Sequence, residues 1–180
     1  VFRKRRLVIY MKVRIEVVKC ANCKMNNHFL YLSDFSYGER LVLFDNGTKY
    51  AYIDLLQDSV YSDFIDKVKE ILGSYKAEVS GNVFQNMIDN MFSMTCDKID
   101  GSDVDFVMNH KKCINCSSDS FEDSIVEPER SIYVDLPNIT HNAWMSFTDG
   151  EKKERIKQEL LRQSENLCLG NLKTEPKNCV

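Results

Sequence analysis

The sequence predicts an α+β protein, and three observations carry that prediction. β-branched residues crowd residues 7–18, two β-rich runs flank Asn46-Gly47, and apolar residues recur at helical spacing over 60–72, 83–92 and 156–167. Hydrophobic residues make up 43% of the 180-residue chain, enough to build a core in one domain.

The elements follow in order. LVIYMKVRIEVV at 7–18 reads as a strand, and HFLYL at 28–32 as its return. In LVLFDNGTKYAYIDLL, Asn46-Gly47 is the pair a type I′ turn prefers, because both central residues need positive φ, so strands are expected at 40–45 and 48–54. Val60, Phe64, Val68 and Ile71 then recur at three and four, with Asp58 or Ser59 to cap the helix and Gly73 to end it. A second helix is expected over 82–95, capped by Ser80 and buried on a broad face of Val83, Phe84, Met87, Ile88, Met91 and Phe92.

DKIDGSDVD reads as a polar turn, DFVMNHKKC as a strand, SSDSFEDSIVEPE as a loop or weak strand, and SIYVDLP as a short strand stopped by Pro137. Thr148 and Glu151 form a capping box for the last helix, with Ile156, Leu160 and Leu167 as its stripe. One domain over residues 1–170 and a flexible tail over 171–180 complete the expectation.

The phrase Lys-Cys-x-Asn-Cys occurs twice, at Cys20/Cys23 and at Cys113/Cys116. Each pair offers two thiolates from one tight turn, and two such turns together make a closed four-thiolate zinc site. The chain carries seven cysteines, an odd number, which fits metal in a reducing compartment better than a disulfide framework. Zinc held by Cys20, Cys23, Cys113 and Cys116 is therefore the expected cofactor. At residues 19–24 and 112–117 the sequence resembles zinc-ribbon proteins, whose two knuckles each follow a strand. The resemblance implies zinc-ribbon-like antiparallel elements with a hairpin and two helices inserted between the knuckles, and a helix after them. Ribbons often place Gly after the second Cys, where Lys24 and Ser117 stand here.

Two other readings of the pairs stay open: redox dithiols and metal-free thiols. Lys24-Met25-Asn26-Asn27 leads into an extended stretch, whereas redox pairs open a helix. Cys96, Cys168 and Cys179 read as small buried or tail residues. His28 and His110 lie near the pairs as substitute ligands, which a full cysteine set makes unnecessary.

Asp97, Asp100, Asp103 and Asp105 do not match a calcium loop and read as a solvated acidic turn. In LPNITHNAWMSF, Trp144 and Phe147 are expected to staple the loop to the core and His141 to lie at the surface. No phosphate loop, dinucleotide fingerprint, HExxH or GxSxG is present, so no catalytic residue is assigned.

The basic run in VFRKRRLVIYMKVR is followed by too short an apolar stretch for a secretory signal, so a cytoplasmic protein is expected. A start at Met11 would remove Arg3, Lys4, Arg5 and Arg6. Net charge is −3, with 24 basic and 27 acidic residues. The expected function is a zinc-stabilised, non-catalytic interaction protein with a protein partner. Nucleic-acid binding through Arg3 to Lys24 is the alternative, disfavoured by the acidic remainder, and an enzyme of unknown class comes last.

Overall fold

A computed structural model describes residues 8–32, 36–75, 79–107 and 110–167, and within these it gives no side chains for 123–129 and 164–167. The basic residues before Leu7, the tail at 171–180, Cys168 and Cys179 lie outside that range. The fold is α+β, with two antiparallel sheets and helices.

Strand β1 (Val8–Cys20) is the centre of a three-stranded sheet. It pairs on one side with β2 (Asn26–Tyr31) and on the other with β5 (Phe121–Pro137). Strands β3 (Glu39–Phe44) and β4 (Lys49–Asp54) form a separate antiparallel pair. Helices α1 (Ser59–Ser74) and α2 (Gly81–Met91) follow, and α2 runs on as a short 3-10 turn over Phe92–Thr95. After β5 come the one-turn helix α3 (Asn142–Met145) and α4 (Asp149–Leu167).

The β3–β4 pair is the middle layer, and its sequence explains why. LVLF and YAYI are apolar without alternation, which suits strands buried on both faces. Val42, Phe44, Ala51 and Ile53 face a core shared with Phe64, Val68, Met87, Phe92, Trp144 and Ile156. Leu41, Leu43, Tyr50 and Tyr52 face the other way, against Val13 and Leu136 of the three-stranded sheet. The layers run helices, hairpin, three-stranded sheet.

The hairpin turn has three left-handed residues in succession, Asp45, Asn46 and Gly47, and the Thr48 amide donates to the Asp45 carbonyl at 3.3 Å. Gly47, at φ +79°, also lies against the chain that enters the second cysteine pair. A Cβ there would stand 2.2 Å from the His110 carbonyl oxygen.

Several local expectations are corrected. Gly73 lies inside α1, which ends at Ser74 with Tyr75 as its cap. Ser80 occupies the cap position of α2 without a side-chain bond. Met87, Ile88, Met91 and Phe92 are buried as expected and Phe84 packs half-buried beside them, but Val83 is exposed. The strand expected into Cys113 does not form in the described residues. Instead Asp105 exchanges two backbone bonds with Leu43, and Lys112 N donates to Gly47 O. Conversely, from Phe121 the stretch read as a loop or weak strand runs on into the short strand, and together they form the single 17-residue strand β5. Its register shifts between Ile15 and Val17, where Pro128 falls, and a bulge on an edge strand is where proline is tolerated. The Thr148/Glu151 capping box is formed, with Thr148 N to Glu151 Oε2 at 2.7 Å and Glu151 N to Thr148 Oγ1 at 3.3 Å. No helix among the described residues is long and apolar enough to cross a membrane.

Candidate metal centre

Both cysteine pairs sit at the end of the three-stranded sheet farthest along β1. Cys20 ends β1 and Cys23 lies in the turn to β2, while Cys113 and Cys116 lie in the turn that precedes β5. The turns are built alike. Cys20 N donates to Met25 O at 2.9 Å and Lys24 N to Cys20 O at 3.0 Å. Cys113 N donates to Ser118 O at 2.8 Å and Ser117 N to Cys113 O at 2.9 Å. The fifth residue of each turn must be left-handed for this pattern, and Lys24 and Ser117 are, at φ 61° and 57°. The absent glycines change the strain, not the shape.

The four sulfurs come together. Cys20 Sγ lies 3.6 Å from Cys116 Sγ, Cys23 Sγ lies 3.5 Å from Cys113 Sγ, and all four lie within 4.8 Å of one another. A zinc ion bound at about 2.3 Å by four thiolates sets its sulfurs about 3.8 Å apart along each tetrahedral edge. The group is therefore close to the size that zinc requires. Cys20 and Cys113 are buried, and Cys23 and Cys116 are half-buried. Four protein ligands leave no open position, the pattern of a structural site.

The repeated asparagine of Lys-Cys-x-Asn-Cys has a reciprocal role. Asn22 Nδ2 donates to Cys116 Sγ at 3.7 Å, and Asn115 hydrogen-bonds Cys23, so each turn supports the second cysteine of the other. Asn27 joins the turns a second time. It is buried, its Nδ2 donates to Met25 O at 2.9 Å, and its Oδ1 accepts Ile114 N at 3.0 Å. The sequence reading missed Asn27. Asn26 and His28 flank it, so nothing in the sequence sets Asn27 apart as the buried one.

The thiols differ in acidity for physical reasons. Burial pushes the Cys113 thiol up, but the Cys116 and Asn115 backbone amides, the Asn27 side chain and Cys23 outweigh it and bring it to about 6. Hydrogen bonding from Asn115 is the main cause that lowers Cys23. At Cys116 a bond from Ser118 favours the thiolate, yet burial and the three neighbouring sulfurs push it up to about 11. Four thiolates at this spacing repel one another, and a divalent cation between them removes that conflict.

The remaining candidates resolve differently. His28 is exposed and His110 pairs through Nδ1 with Asp105 Oδ2 at 2.6 Å; neither belongs to the sulfur group. His110 and Asp105 line a cleft of about 900 Å³ with Asp103 and Asp119, but no described hydroxyl or thiol is hydrogen-bonded to His110. Asp97 is not simply a solvated acid. It accepts Thr140 Oγ1 at 2.7 Å, the Asn142 amide at 2.8 Å and the Ala143 amide at 2.9 Å; these bonds outweigh burial and hold it down at about 2.

His141 is buried, which corrects the expected surface position. Its Nε2 lies 3.0 Å from Asp58 Oδ2 and its Nδ1 lies 2.9 Å from the Thr95 carbonyl. Thr95 Oγ1 also lies 3.1 Å from Nδ1, so the ring links the Asp58 cap of α1 to the 3-10 turn. Nearby Cys96 is pushed up to about 12, chiefly by burial, and is poorly suited to act as a nucleophile. Trp144 is buried in the helical core, edge-on to Phe64 and Phe147.

No family model, curated protein or solved structure matches the chain.

Proposed function

We propose that the chain is a zinc-stabilised, non-catalytic binding protein, built on a zinc-ribbon-like pair of knuckles that carries β2, the hairpin and two helices between them. The observation that supports it most is the closed group of Cys20, Cys23, Cys113 and Cys116, with sulfurs 3.5 and 3.6 Å apart across the turns. The polar groups of the helical end also favour binding over chemistry. Asp97, Asp58, Thr95 and His141 hold the helical core together, and the Cys96 thiol stays protonated. In this reading zinc fixes a fold, and recognition belongs to the surface.

Elemental analysis of reduced, freshly purified protein tests it. The expected result is one zinc per chain, reduced to a similar degree by Cys20→Ser and Cys113→Ser. A fully folded protein without metal would refute the reading.

A further inference from the structure

The hairpin covers one face of the three-stranded sheet. The opposite face carries exposed aromatic rings. Tyr10 on β1 is 68% exposed and Tyr133 on β5 is 61% exposed. Their rings stack, with centroids 5.3 Å apart and planes 20° apart. Two tyrosines held parallel in water present flat faces that no described residue covers.

Cations stand beside them. Strand alternation puts Lys12 and Arg14 on the same face as Tyr10. Lys12 lies directly across from Tyr133, and Arg14 lies between Ser131 and Tyr31. Lys12 is exposed and has no ion pair among the described residues. Farther along, Lys111 Nζ sits 4.1 Å above the Tyr31 ring and 4.6 Å from the Phe29 ring, so the face already mixes cations with rings. Among the residues whose side chains are described, two carboxylates share it. Glu16 is hydrogen-bonded to the Tyr31 hydroxyl, and Asp135 lies across from Tyr10.

We propose that this face binds single-stranded nucleic acid, with bases stacking on Tyr10 and Tyr133 and phosphates meeting Lys12 and Arg14. Stacking on exposed rings requires bases already out of a duplex, and neighbouring cations complement the backbone. The net charge of −3 repels a polyanion at long range, so the contacts that offset it must come from this one face. The proposal names the ligand of the binding protein inferred above, and it rests on that reading for its class but not on the metal.

The test is fluorescence anisotropy of the full chain with labelled oligo(dT) and oligo(rU), and with a duplex as control. Single strands should bind more tightly than duplex. Tyr10→Ala and Tyr133→Ala should each weaken binding roughly tenfold, at unchanged zinc content and melting temperature. Lys12→Ala should lower the slope of log affinity against log salt by about 0.7. Binding that ignores both tyrosines would overturn the proposal, since charge alone would then account for it. A flat titration at low salt with normal zinc content would also overturn it. The binding-protein reading would then stand, and the face would pass to a protein partner. Tyrosine-dependent binding by a chain that holds no zinc would support this proposal and refute the metal reading instead.

Discussion

The two ends of this molecule are held by different physics. The helical end is a packed core in which Phe64, Phe92, Met91, Ile156 and Trp144 are almost wholly excluded from water. Its stability is spread over many apolar contacts. The knuckle end has little apolar material. Cys20, Cys23, Cys113 and Cys116 meet there with Asn22, Asn27 and Asn115, and the turns carry exposed Met25 and Ile114. It is held by hydrogen bonds and, in the function proposed above, by a metal ion between the four sulfurs. The hairpin joins the two, since its tip bonds to the second knuckle through Lys112 N to Gly47 O at 3.1 Å. Damage to the helical end should therefore be global, and damage to the knuckle end local.

The sharpest contrast is expected from Trp144→Ala. Removing a buried indole from the helical core should cost about 4 kcal/mol, read as a loss in denaturant midpoint, and the knuckle should unfold with it. Gly47→Val comes next. The collision with the His110 carbonyl and the left-handed φ should together cost about 2 kcal/mol. Because the tip touches the knuckle, zinc affinity should fall as well. A variant with normal stability would break the link drawn between the two ends.

Asn27→Ala should have a smaller effect, about 1.5 kcal/mol, and should act on one end only. Ile114 N loses its acceptor, and the second knuckle loosens. Competition with a chelator should show faster zinc release while the helical signal in circular dichroism is unchanged. The smallest effect is expected at acid pH. Asp97 is held at about 2, below the roughly 3.9 of an unfolded aspartate. Its folded pKa is depressed, so its contribution is complete above about pH 4 and is lost as pH falls towards about 2. An acid titration of Asp97→Asn should lack that part of the decline seen in the parent chain.

How much of this the sequence revealed depends on whether the signal was local. The α1 cap at Asp58, the Thr148/Glu151 box and the Asn46-Gly47 turn are set by neighbours within four residues, and each was readable. The four cysteines were readable as one group because thiols in paired tight turns have few other uses. Features that depend on distant partners were not readable. The acidic, proline-containing stretch of β5 looks like a loop until β1 is placed beside it, since its partner strand supplies the ladder. The segment before Cys113 reads as a strand, but its described residues meet the hairpin only at separate points, Asp105 against Leu43 and Lys112 against Gly47. His141 reads as a surface residue because nothing nearby in sequence announces Asp58 or the Thr95 carbonyl as its partners.

The central claim is that zinc staples one end of a protein whose other end holds itself together. Hydrogen exchange before and after zinc removal tests it most directly. After chelation, the amides of Cys20, Lys24, Cys113 and Ser117 should lose protection, while those of α1 between Phe64 and Leu72 should keep theirs. Equal loss at both ends, or no loss at the knuckles, would contradict the account.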